Sequence, residues 1–205
     1  MILTPIPPAE LPAALDRFAA RLDDPPAAAF ARIRSTRAER AAGAVAEAHR
    51  QEALAWALSL GIPVHPPGTR CAFNWDGRAL DGDTEAYVIL HEAAHFVLAS
   101  PQRRRLVDFG LGPGPDTRDR AGAAQASVLP FLAREADEAA ASLLGILWEA
   151  ALGHPALASF LDQNWLEGGE RAAAHFMQVL RQLDERGALA AEPARLAAPQ
   201  AREMR

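Results

Sequence analysis

Apolar residues recur at helical spacing along most of the 205-residue chain. Leu11, Leu15, Phe18 and Leu22 mark one face of a stretch that opens near Pro8 and ends before Asp24-Pro25-Pro26, predicting a short first helix. From Ala27 to Leu60 a pattern of Ala, Arg and Glu without internal proline predicts one long helix or two abutting ones, stopped by Gly61 and Pro63. A further helix is expected from about Glu85 to Ser100, capped by Asp83 or Thr84 and stopped by Pro101. Val88, Ile89, Leu90, Phe96, Val97 and Leu98 cover most of its circumference, so it should be buried rather than lie on the surface. After Pro130 the run FLAREADEAAASLLGILWEAALG reads as a strong helix closed by Gly153, and stretches at about 155–162 and 168–186 add two more.

Two segments break this periodicity. Residues 62–83, IPVHPPGTRCAFNWDGRALDGD, hold Pro-Pro-Gly, a possible short strand from Arg70 to Trp75 and two Asp-Gly turn signals, which predict one strand or hairpin. The stretch FGLGPGPDTRDRAG, rich in Gly and Pro, predicts a long irregular loop of the kind that often carries function.

Composition supports a helical reading, because Ala is abundant while Val, Ile, Tyr and Thr are scarce. The expected class is α+β, predominantly helical, folded as a single domain over 1–205. A helical N-terminal extension (1–62), serving as a packing layer or a partner-docking surface, precedes a core (63–190) and a loose tail (191–205). A net charge of -5 argues against a nucleic-acid surface, and Arg103, Arg104 and Arg105 read as a solvated helix end. The single cysteine, Cys71, excludes an intramolecular disulfide. No apolar run approaches the roughly 20 residues needed to span a bilayer, and the N-terminus has no secretory pattern, so neither a membrane nor export is expected and the cytoplasm is the default.

The chemistry gathers in the buried helix. His91 and His95 are four residues apart and lie on one face, so their imidazoles can converge on one ion. Glu92 stands beside them, and in hydrolytic zinc sites of this H-E-x-x-H pattern the glutamate is the base that takes a proton from metal-bound water. A third ligand is needed, and the helix after Pro130 is its best source. Glu135 and Glu138 share a face there, and either could ligate. His49, His65, His154 and His175 belong to no comparable constellation and read as surface or packing residues.

The run HEAAHFVLASPQRRRLVDFGLGPGPD resembles the bacterial elongation factor P hydroxylases, small metal proteins with an H-E-x-x-H helix. The match keeps the family's spacing through His91, Glu92, His95, Arg103, Arg104, Leu106-Val107-Asp108-Phe109-Gly110 and Pro115-Asp116, and continues at Gly153-His154-Pro155 and Asn164-Trp165-Leu166-Glu167-Gly168. It covers roughly residues 86–168. The chain departs from the family at Phe96, where the family has tryptophan, and at Leu111-Gly112-Pro113-Gly114, which replaces an aromatic-rich stretch. The resemblance implies a zincin-like fold and a site of one divalent metal ion, iron favoured and zinc possible, held by His91, His95 and Glu138, with Glu135 in reserve. It implies hydroxylation of a lysine-type side chain on an elongation factor P-like protein substrate. A zinc metallopeptidase with Glu92 as general base, and a non-catalytic metal-stabilised interaction protein, are the alternatives. No cosubstrate-binding motif is visible.

Overall fold

The structure is a computed structural model and describes residues 6–115 and 117–193. Most of the expected tail, residues 194–205, lies outside the described residues, as do residues 1–5 and Asp116. The described residues form eight helices: α1 Leu11–Ala19, α2 Pro26–Arg34, α3 Gly43–Ser59, α4 Ala86–Leu98, α5 Arg120–Gln125, α6 Phe131–Leu152, α7 Ala156–Asp162 and α8 Glu170–Glu185. The chain is predominantly helical. None of these helices is long and apolar enough to cross a membrane.

α4 is the centre of the molecule. Val88, Ile89, Leu90, Ala93, Ala94 and Leu98 bury it between α3 and α6, as its all-round apolar pattern predicts. Small residues set the distance between α4 and α6. Ala93 and Ala94 on one helix and Ala140, Ala141 and Gly145 on the other leave room for close backbone approach, and a Cβ added at Gly145 would lie 3.2 Å from the Cα and N of His91. α6 ends at Gly153 in the left-handed conformation (φ 79°), where the His154 and Gly153 amides donate back to the Glu149 and Ala150 carbonyls.

The N-terminal helices are part of the core. Phe18 of α1 and Phe30 of α2 pack against Phe160 of α7 and Phe176 of α8 with ring centroids 5.4–6.3 Å apart, so this third of the chain is a packing layer. Between α2 and α3 the helix breaks at 35–42. Ser35 and Thr36 hydroxyls donate to the Arg32 and Ile33 carbonyls, while Thr36 Oγ1 and the Arg37 carbonyl accept from the Leu157 and Ala158 amides at the start of α7. Tertiary hydrogen bonds have replaced helical ones there.

The expected strand is reduced to two isolated bridges among the described residues, Val64 with Leu80 and Trp75 with Leu80. Pro63, Pro66 and Pro67 lack the amides to extend a ladder. The backbone of 70–75 is also committed elsewhere: the Ala72 carbonyl accepts from Arg118 and Asp119, and the Trp75 carbonyl from Asp108. The loop after Phe109 is not wholly irregular, because Asp119 accepts from the Gly122 amide and caps α5. At the start of α4 the cap position is Glu85, and the Thr84 hydroxyl donates to the Glu85 carboxylate instead of capping the helix.

One buried acid gives the fold a pH dependence. Glu149 of α6 is 3 % exposed, and burial raises its carboxyl from its ordinary 4.5 to about 7 against the opposing hydrogen bond with Ser159 and the attraction of Arg40. The folded chain therefore holds a proton that the unfolded chain releases at lower pH. Stability is expected to be full below about pH 4.5 as far as this group is concerned, to fall between 4.5 and 7, and to level off above, by on the order of 3 kcal/mol. Denaturant titrations across that window on the chain and on Glu149→Gln check this: the variant should show a clearly shallower fall, most of all between about pH 6 and 7.

Candidate metal centre

α4 and α6 bring three side chains to one point. His91 Nε2 and His95 Nε2 stand 3.0 Å apart, and Glu138 Oε2 lies 3.5 Å and 3.4 Å from them. Ligands at about 2.0–2.1 Å from a zinc ion stand about 3.3 Å apart along the edges of a tetrahedron, and cis ligands of an octahedral ion about 3 Å apart. The three separations fit either geometry, and His91, His95 and Glu138 form a group able to hold a cation. Glu135, one turn earlier on α6, is outside the group: its side chain is 58% exposed, and its carboxylate lies 4.0 Å from Arg134.

The ring of His95 is held on two sides. Its Nδ1–H donates to Asp137 Oδ2 at 3.3 Å, and Phe109 stacks on its face with centroids 5.6 Å apart. Phe109 is in turn stacked on Trp75 at 5.3 Å, and Trp75 meets Phe96 edge-on at 5.3 Å. With Nδ1 committed to a carboxylate, Nε2 is the nitrogen that faces the site and would ligate a metal ion once it gives up its proton, the arrangement that carboxylate–histidine–metal sites use to fix tautomer and orientation. His91 Nδ1 is buried without a hydrogen-bond partner, and the His91 backbone lies against α6 at Gly145.

Sequence reasoning missed Asp137 and misplaced two arginines. Arg103 turns inward, and its Nη1 and Nη2 donate to Asp137 Oδ1 and Oδ2 at 3.0 and 2.9 Å while its Nε donates to the Phe109 carbonyl at 2.9 Å. Arg104 donates to the Ala99 and Val97 carbonyls at the end of α4 and lies over the Phe96 ring at 4.4 Å. Arg105 is exposed. The cluster is therefore a brace behind His95 with one solvated member. The signal for Asp137 was its place next to Glu138, but an acid in a helix with several others carries no mark of burial.

The electrostatics favour a cation. Burial disfavours the His95 imidazolium, yet the Asp137 and Glu138 carboxylates outweigh it and raise the group to about 10. Burial also opposes ionisation of Asp137 and Glu138, but His95 with Arg103, and His91 with His95, hold the two carboxyls far below the usual range. Glu138 keeps 43% of its side chain exposed, so solvent screens its attraction to the imidazoles. Two imidazole nitrogens and a carboxylate at these separations need positive charge between them. A proton supplies it in the metal-free chain, and a divalent ion would supply more.

A cavity of about 290 Å³ opens on this group, lined by His91, Glu92, His95, Asp108, Thr117 and Glu138 among others. Glu92 accepts from the Asn74 side-chain amide at 3.2 Å and is not one of the three converging groups. Asp108 and Phe109 both lie in the left-handed region (φ 42° and 54°), a conformation that costs non-glycine residues about 1–3 kcal/mol each. That conformation places Phe109 on His95 and lets Asp108 Oδ2 accept from the Thr117 hydroxyl at 2.8 Å. Burial raises the Asp108 carboxyl to about 6 in spite of that bond, with Glu92 adding to the effect.

The remaining histidines do act as packing or surface groups. His154 is buried, bonded to Glu52 at 2.8 Å and stacked on His49; His65 pairs with Asp76 at 2.9 Å; His175 stacks on Trp165. The free thiol of Cys71 is buried. Compared with protein-family models, with curated proteins and with solved structures, the chain gives no significant match. The likeness to elongation factor P hydroxylases accordingly rests on the motif residues alone.

Proposed function

We propose that this chain is a metal-dependent enzyme, a non-haem iron hydroxylase acting on a lysine-type side chain of an elongation factor P-like protein. The observation that carries the metal is the convergence of His91, His95 and Glu138 with His95 braced by Asp137 and Arg103. The hydroxylation is carried by the resemblance. His91, His95 and Glu138 would hold one divalent ion as a facial triad, and iron bound there supplies oxygen activation at its open positions.

The chain's own residues supply the rest. Asp137 keeps His95 in the tautomer whose Nε2 faces the site. Val88, Leu111 and Pro115 in the lining give the cavity an apolar wall suited to an aliphatic side chain. Glu92, fixed by Asn74, stands in the same cavity as a proton acceptor. That placement is also what favours a second reading, a zinc metallopeptidase with Glu92 as general base.

Metal analysis of protein purified with and without oxygen, followed by oxygen uptake with an external reductant and an elongation factor P-type protein bearing its modified lysine, tests the proposal. Iron-dependent uptake that requires the protein substrate is the expected result. Casein cleavage supported by zinc and abolished in Glu92→Gln, with metal still bound, would replace the hydroxylase by the peptidase.

A further inference from the structure

Asp108 is a carboxylate of the cavity wall with a buried oxygen that no donor answers. It is 8% exposed, its Oδ2 is taken by Thr117, and its Oδ1 is buried with no hydrogen-bond partner. A buried carboxylate oxygen without a donor is costly, and such groups persist where a ligand supplies the missing partner. The backbone is bent to put it there, since Asp108 and Phe109 are consecutive left-handed residues whose amide and carbonyl groups are tied to Trp75 and Arg103.

Charge balance says what kind of partner fits. Asp137 is neutralised by Arg103. Glu138, Glu92 and Asp108 then face whatever occupies the cavity. A divalent ion between the imidazoles and Glu138 offsets two of those three negative charges and leaves one over. Asn74 donates to Glu92, and the hydrogen-bond partner of Asp108, Thr117, is neutral; the His95 imidazolium that attracts Asp108 in the metal-free chain gives up its proton when the ring ligates a metal ion. The cavity is left one positive charge short, and Val88, Leu111 and Pro115 of its lining give it an apolar wall.

We propose that Asp108 is the specificity-determining residue of this cavity, pairing through Oδ1 with the ammonium group of an alkylammonium substrate whose chain lies along that wall. This rests on reading the site as a metal centre, and it adds the residue that selects the substrate by charge. Asp108 binds and orients; it takes no part in bond making.

The test uses zinc-loaded full-length chain, its zinc content measured on the same samples, with n-butylammonium and n-butanol as probes in calorimetric titrations at neutral pH. The unaltered chain should bind butylammonium about tenfold or more tightly than butanol. Asp108→Asn, whose side-chain oxygen can still accept from Thr117, should lose that preference, and Asp108→Glu should keep part of it. Equal binding of the two probes by the unaltered chain, or a preference that survives in Asp108→Asn, overturns the proposal. The comparison of probes on the unaltered chain needs no variant to fold. A chain that prefers the ammonium but holds no zinc supports the role of Asp108 and defeats the metal reading. A zinc-loaded chain with no preference defeats Asp108 alone.

Discussion

Arg103→Ala is expected to destabilise the chain by about 3–5 kcal/mol and to weaken metal binding by about 10–100-fold. The guanidinium is 15% exposed and Asp137 9%, and the two are joined by paired hydrogen bonds at 3.0 and 2.9 Å. Removing one partner leaves the other as an uncompensated buried charge, the most damaging single change such a pair allows. The same guanidinium also holds the Phe109 carbonyl, so its loss frees the ring that stacks on His95. Both braces of the imidazole go together. Arg103→Lys should recover only part of the effect, because one ammonium cannot serve both Asp137 oxygens and the Phe109 carbonyl at once. Arg105→Ala is the control: an exposed residue two positions on, expected within about 0.5 kcal/mol of the unaltered chain. Urea denaturation and competition against a metal indicator measure the two quantities. Equal behaviour of the Arg103 and Arg105 variants would mean that the buried pair contributes nothing.

The helices were legible because their signals are local. The spacing of Leu15 and Phe18, the apolar circumference of α4 and the Gly153 stop are each contained in a few residues and survived folding unchanged. The His91–His95 pair was legible for the same reason, since a four-residue spacing on a helix fixes a shared face. What failed depended on distant partners. The segment around Arg70–Trp75 has strand-like residues, but its carbonyls are claimed by Arg118, Asp119 and Asp108, some thirty to fifty positions on, and no ladder forms. The arginine cluster looked like a solvated face because charge on its own says nothing about a buried acid 34 residues away. Glu138 could be separated from Glu135 on the resemblance only, and the geometry places Glu138 beside the histidines because α4 and α6 cross close together at Gly145.

The second large effect separates those two glutamates. Loaded with zinc and then desalted, the unaltered chain and Glu135→Gln should each retain one ion, while His91→Ala, His95→Ala and Glu138→Gln should retain little or none. Glu138→Gln is the most informative, because its side chain is 43% exposed and an amide of the same shape should leave the packing of α6 intact. Loss of metal in a variant with unchanged thermal unfolding is loss of a ligand and not of the fold. His95→Ala is less clean, since it opens a cavity beneath Phe109 and takes a hydrogen bond from Asp137. Affinity should also rise with pH through the neutral range. His95 is held as the imidazolium up to about 10 in the metal-free chain, and a ligating nitrogen must first give up that proton. Retention of stoichiometric metal by both histidine variants would remove the metal centre from these residues, and with it the reason for the buried Asp137–Arg103 brace behind them.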